Sequence, residues 1–66
     1  MASLLKLHEV AAMTGVPINT LRFYRSQGGG PRSFLLAGRV VYKLSDVEAW
    51  VESSYQADAR DPEPAA

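Results

Sequence analysis

Residues 15–25 read Gly-Val-Pro-Ile-Asn-Thr-Leu-Arg-Phe-Tyr-Arg. Gly15 favours the left-handed backbone at which helices end, and Pro17 suits a helix start because its missing N–H would be unpaired there anyway. Apolar residues recur at helical spacing on both sides of this connection. The sequence therefore predicts two short helices, over about residues 7–14 and 18–27, joined by a tight turn.

Three consecutive glycines and Pro31 follow the second helix and end it, because glycine and proline are the poorest helix formers. Residues 34–43 then hold two β-rich runs around Gly38-Arg39, a pattern typical of a hairpin. We expect Arg39 at the tip of this hairpin. On a period of two, the large apolar side chains of one face are those of Phe34, Leu36, Val40 and Tyr42.

The segment Ser45-Asp46-Val47-Glu48 has the pattern of a capping box, in which the first and last side chains satisfy free backbone donors. We therefore expect a third helix to begin at Asp46. Its apolar stripe, spaced three and four residues apart, consists of Val47, Trp50 and Val51. The helical pattern fades after about Ala57.

The predicted elements make one domain over residues 1–57, and residues 58–66 form a polar, proline-containing tail that we expect to be disordered. The order helix, turn, helix, hairpin, helix predicts a mainly α fold with a small β-hairpin, the winged helix-turn-helix. A chain of 66 residues buries only a small core. We therefore expect its large aromatic side chains to belong to that core: Tyr24, Phe34, Tyr42 and Trp50.

The composition excludes several kinds of site. The chain has no cysteine, which excludes disulfides and thiolate metal sites. No apolar run approaches the roughly 18 residues of a membrane span, and the N-terminal residues lack the pattern of a secretory signal. We expect a cytoplasmic protein that contacts no membrane. His8 is expected at the surface because no second metal ligand lies near it, and nothing in the sequence indicates an enzyme or a cofactor.

Charge is strongly segregated along the chain, although seven cations and seven acids give no net charge. Residues 17–43 carry five cations and no acid, whereas residues 44–66 carry six acids and only Arg60 as a cation. One face of a small domain is then strongly positive, and such a face attracts a polyanion even when the whole chain is neutral. Double-stranded nucleic acid is the first partner to consider.

Helix-turn-helix folds place their second helix in the major groove, and a hairpin beside it contacts the flanking DNA as a wing. The residues that we expect to contact DNA are Asn19, Thr20, Arg22, Phe23, Arg25, Ser26, Arg32, Arg39 and Lys43. Asn19 and Arg22 can pair with base edges, whereas Arg25 and the later cations suit phosphates. Arg39 can also reach a minor groove. Phe23 fits either the edge of the core or the DNA-facing surface.

Five segments of the chain carry a family resemblance: EVAAMTGVP at 9–17, TLRFYR at 20–25, GP at 30–31, GRVVY at 38–42 and SDVEAW at 45–50. In this order they resemble the winged helix-turn-helix of MerR-type regulators, above all its minimal phage members, the excisionases. The resemblance implies major-groove binding by the second helix, with the hairpin as a wing. For excisionases it further implies cooperative head-to-tail binding of copies at repeated sites, DNA bending, and steering of a phage integrase toward excision in the bacterial host.

MerR-type regulators continue into a dimerising helix and an effector domain, so we expect no small-molecule effector for a chain of this length. Two alternatives stay open on sequence alone. A small MerR-like transcription regulator would use the same surface, because it occludes or reshapes a promoter through the same DNA contacts. A protein-interaction adaptor would instead present the basic stripe to an acidic protein and would not bind duplex DNA.

Overall fold

The computed structural model describes residues 3–62, and its element order confirms the fold that the sequence predicts. Helices and strands follow one another as β1 (Leu4–Lys6), α1 (Leu7–Thr14), α2 (Ile18–Gln27), β2 (Phe34–Leu36), β3 (Arg39–Lys43) and α3 (Leu44–Asp58). The strands form one antiparallel sheet in the order β1-β3-β2. The chain folds as a small winged helix-turn-helix, with β2 and β3 as the hairpin of the wing.

The first two helices have the predicted bounds because local signals end them. Gly15 follows α1 with a positive φ of 77°, and its N–H donates to the Ala11 carbonyl at 2.9 Å. Gly28 ends α2 in the same way. At the start of α1, the Lys6 N–H donates to Oε1 of Glu9 at 2.8 Å. This bond satisfies a backbone donor that would otherwise be free at the helix start.

The hairpin turn lies one residue earlier than predicted, at Ala37-Gly38. Both residues have positive φ, 52° and 79°, as a type I′ turn requires. The resulting register pairs Leu35 with Val40 and Leu36 with Arg39. Because directly paired residues share a face, Leu36 lies on the opposite face from Val40, and the predicted four-residue face is wrong. Arg39 begins β3 after the turn and does not form its tip.

The turn predicts a simple stabilising substitution. Ala37 adopts a left-handed backbone that costs a residue with a Cβ about 1–2 kcal/mol, whereas asparagine tolerates it and Asn-Gly is the preferred type I′ pair. Ala37→Asn should therefore raise the free energy of unfolding by about 1 kcal/mol, measured by urea denaturation followed by circular dichroism. Gly38→Ala should lower it by a similar amount. An Ala37→Asn variant no more stable than wild type would contradict this account of the turn.

The start of α3 depends on a contact between distant residues. Strand β1, which the sequence analysis does not predict, pairs with β3 and brings the Ser3 carbonyl to the N–H of Leu44 at 2.9 Å. This bond satisfies the first free donor of α3, so the helix begins at Leu44, directly after β3, and not at Asp46. The predicted capping box is wrong, because Ser45 lies inside the first turn and no side chain caps the helix.

The core contains one fully buried side chain from each helix and one from the sheet: Val10, Leu21, Tyr42 and Val47. Leu5 and Val40 pack against this cluster. They share with Tyr42 the face of the sheet that we call the inner face. The other side of the sheet, the outer face, carries Phe34 and Leu36, and both side chains are exposed.

Of the aromatic residues expected in the core, Tyr42 is fully buried. Tyr24 and Trp50 are half-buried, and their ring centroids lie 6.2 Å apart. The prediction is wrong for Phe34, because the register places it on the outer face of an edge strand. Phe23 is exposed on α2, which excludes it from the core.

The last helix ends at Asp58, one residue into the predicted tail. Residues 59–62 have no regular structure. The rest of the predicted tail, residues 63–66, lies outside the described residues. None of the helices within residues 3–62 has the length and hydropathy that a membrane-spanning segment needs.

Candidate nucleic-acid interface

Helices α1 and α2 and the sheet meet along a cleft of about 630 Å³. Its lining comes from the junction of β1 and α1, from one side of α2 and from the start of β3: Lys6, Leu7, His8, Arg22, Arg25, Ser26, Arg39, Val40 and Tyr42. Helix α2 and the wing therefore border the same concave surface, as joint contact with a duplex requires.

The cleft concentrates positive charge from three elements. Lys6 comes from β1, Arg22 and Arg25 come from α2, and Arg39 comes from β3. All four are exposed, and no acidic residue of the described part of the chain lines the cleft. Within residues 3–62 none of the four forms a salt bridge. A concave surface that carries charge of one sign focuses the electrostatic potential and raises the local concentration of a polyanion.

One of these cations is held in place by the loop after α2. Nε of Arg25 donates a hydrogen bond to Oγ of Ser33 at 3.0 Å. The charge of Arg25 also affects the pKa of Tyr42, a residue that belongs to the core and also lines the cleft. Burial raises the pKa of the Tyr42 hydroxyl above its ordinary value, and the Arg25 charge opposes that rise in part. The hydroxyl therefore stays protonated at neutral pH and is able to donate a hydrogen bond.

The cleft brings together four of the nine predicted DNA contacts, namely Arg22, Arg25, Ser26 and Arg39. The Ser26 hydroxyl donates to the Phe23 carbonyl at 2.7 Å, so its proton is used within the helix. Arg32 lies in a neighbouring hollow of about 280 Å³, formed by the loop over residues 28–33 and by Arg25.

The other predicted contacts lie outside the cleft. Asn19 and Phe23 are exposed on α2, whereas Thr20 is half-buried. Lys43 is exposed and alternates along β3 with Tyr42, which places it on the outer face of the sheet. A contact of Lys43 with DNA stays a prediction.

The cleft residues that were not predicted as DNA contacts include Lys6 and His8. Both lie near the start of α1, where the sequence analysis predicts no strand and places His8 only at the surface. Strand β1 brings them beside β3, more than thirty residues later in the chain. A three-residue strand has no local signal, because periodicity needs a longer run to be detected.

A family model described as a helix-turn-helix domain matches residues 4–55, from β1 through most of α3. The chain belongs to the helix-turn-helix domain family. This membership indicates sequence-specific binding to double-stranded DNA, and the family is one of DNA-binding domains and not of enzymes. No curated protein and no solved structure matches the chain.

Proposed function

We propose that this helix-turn-helix protein is an architectural DNA-binding protein of the excisionase type. It binds repeated sites cooperatively, bends the DNA and directs a phage integrase toward excision. The observation that carries the proposal is the cleft between α2 and the wing, where four cations without an acidic neighbour in the lining converge. Such a surface suits the phosphates that border a groove, and its two sides suit a helix in the groove and a wing beside it.

The exposure along α2 supports its role as the recognition helix. Leu21 is buried in the core, whereas Asn19, Arg22 and Phe23 are exposed and free to face DNA. The major groove, about 12 Å wide, admits one helix, and arginine and asparagine pair bidentately with guanine and adenine edges. Arg25 then meets the phosphates at the groove edge, and its bond to Ser33 restricts its side chain before DNA binds.

A second groove supports contact between copies on DNA. It has a volume of about 590 Å³ and lies between α1 and α3, with exposed Met13 and Val51 beside the acidic Glu48 and Glu52. The outer face of the sheet has the complementary character, with exposed apolar side chains next to a cation: Leu4, Phe34, Leu36 and Lys43. The acidic groove of one copy therefore fits the outer face of the next, which allows head-to-tail assembly on direct repeats.

Charge reversal in the acidic groove tests this assembly. Glu48→Lys with Glu52→Lys should lower cooperative binding to two tandem sites by about tenfold or more, equivalent to about 1.4 kcal/mol. Affinity for one isolated site should not fall, because neither residue lines the cleft. The measurement is a gel shift on DNA with one or two copies of a site selected from a randomised library. Asp58→Lys with Asp61→Lys adds the same charge outside the groove and should leave cooperativity intact.

The recombination role has its own test. In a reaction with the integrase of the same genetic element, the protein should raise the yield of excision and lower that of integration. Circularly permuted DNA fragments should show a bend at the bound sites. Binding to an isolated site without a bend, together with protection of a promoter and no effect on recombination, would contradict the architectural role and favour a transcription regulator.

A further inference from the structure

Strand β2 exposes every one of its side chains although all of them are apolar. Its sequence is Phe34-Leu35-Leu36, and it is an edge strand of the sheet. Leu35 is 60% exposed, against 48% for Leu36 and 36% for Phe34. Contiguous exposed apolar side chains of this kind mark a surface that contacts a partner.

The register separates these side chains by direction. Leu35 pairs with Val40, so both lie on the inner face of the sheet. Val40 lines the cationic cleft together with Arg22 and Arg25 of the recognition helix. Leu35 therefore lies beside the cleft-lining Val40, on the edge strand of the sheet. Leu36 lies on the outer face, with Arg39 as its cross-strand partner.

The charge around Leu35 identifies the partner that covers it. The cleft beside Val40 carries four cations and no acid, which directs a polyanion to this side of the wing. An aliphatic side chain cannot bind phosphate, so on a duplex its favourable contacts are with deoxyribose, with thymine methyl groups or with the faces of the bases. Proteins that contact the minor groove insert leucine and other apolar side chains between base steps and kink the duplex toward the major groove.

We propose that Leu35 is an apolar wedge, which enters the minor groove next to the major groove occupied by α2 and unstacks one base step there. This inference rests on the proposed DNA binding and adds a residue that produces the bend. The type I′ turn at Ala37-Gly38 supports the wedge, because its tight geometry fixes β2 against β3.

The wedge also predicts an indirect preference for DNA sequence. A minor groove lies half a helical turn, about five base pairs, from the major-groove site of α2. Pyrimidine–purine steps such as TA and CA unstack most easily. Duplexes selected by the protein should therefore be enriched in such a step at this distance from the bases that α2 contacts, although no side chain hydrogen-bonds to it.

Replacement of Leu35 by alanine tests the wedge, with Leu36→Ala as the matched control. The control removes the same atoms from the next residue, whose side chain lies on the opposite face. The duplex carries a single site, so no neighbouring copy contacts that face. The probe is a short duplex selected by the wild-type protein, with 2-aminopurine at the step in question. Wild type and Leu36→Ala should raise the 2-aminopurine fluorescence and produce a kink, of about 20–90° for such wedges. Leu35→Ala should bind the duplex without raising the fluorescence or producing the kink. Leu35→Phe should still do both.

The outcomes distinguish this inference from the function on which it rests. If the wild type binds no duplex, the proposed function fails and the wedge fails with it. If the wild type binds and Leu35→Ala bends and unstacks the duplex as the wild type does, the wedge alone is overturned. The wedge is also overturned if Leu36→Ala binds the duplex without bending it, or if the wild type binds without unstacking a base step. Circular dichroism of each variant confirms that the fold is retained, since both leucines are exposed.

Discussion

A variant that carries Arg22→Glu and Arg39→Glu should bind duplex DNA at least about a hundredfold more weakly than wild type. Arg22 comes from the recognition helix and Arg39 from the wing, and both line the cleft. Each reversal removes a cation that attracts phosphate and adds an anion that repels it. The dissociation constant, measured by fluorescence anisotropy over a series of salt concentrations, tests this expectation.

Salt dependence separates binding to phosphates from binding to bases. The slope of log K against log salt should decrease by about 0.9 for each phosphate that the variant no longer neutralises. Arg60→Glu is the control, because it changes the net charge as much as either single reversal. Arg60 pairs with Asp58 at 3.3 Å, after α3 and outside the cleft. Equal weakening by Arg60→Glu, or wild-type affinity in the double variant, would contradict the assignment of the cleft to DNA.

Leu21→Ala should unfold a large fraction of the protein at physiological temperature. Leu21 is 1% exposed and is one of only four fully buried side chains in the core cluster. Truncation of a buried leucine to alanine costs about 2–5 kcal/mol. A chain of this length has a total stability of roughly 3–10 kcal/mol. The loss therefore approaches the whole stability of the domain, and thermal and urea denaturation followed by circular dichroism will measure it.

The matched control for this prediction is again Leu36→Ala. Leu36 is exposed, and its truncation should change the free energy of unfolding by no more than about 0.5 kcal/mol. DNA should raise the melting temperature of Leu21→Ala, because a ligand that binds only the folded state stabilises it. A Leu21→Ala variant as stable as the control would show that the four-residue core does not hold the domain together.

The two helices of the helix-turn-helix were predictable because their limits depend on the residues themselves. Gly15 and Gly28 adopt the left-handed backbone that ends α1 and α2. Pro17 precedes α2 at a place where its missing N–H costs nothing. The charge segregation that points to a polyanion is likewise a property of composition along the chain. For the candidate site, Arg22, Arg25 and Arg39 could be chosen by residue type and position alone, and the cleft brings them together.

Other features could not be predicted, because they depend on a partner elsewhere in the fold. The first donor of α3 is satisfied by the Ser3 carbonyl, and the apparent capping box at Ser45 gives no sign of that bond. The hairpin register follows from Ala37 adopting a positive φ, which is unusual for alanine. A shift of one residue exchanges the two faces of a strand, and this is why Leu36 lies on the opposite face from Val40.

The sequence by itself determined the order of the helices and the hairpin, the bounds of α1 and α2, and the concentration of cations in the middle of the chain. Helix ends depend on residues within a few positions of one another, and the segregation of charge depends on composition along the chain. Both can therefore be read without knowledge of the fold. Only the tertiary structure decided the strand register, the start of α3 and the presence of Lys6 beside Arg39 in one cleft. Each of these requires backbone pairing between segments far apart in the chain, and that pairing has no local signal.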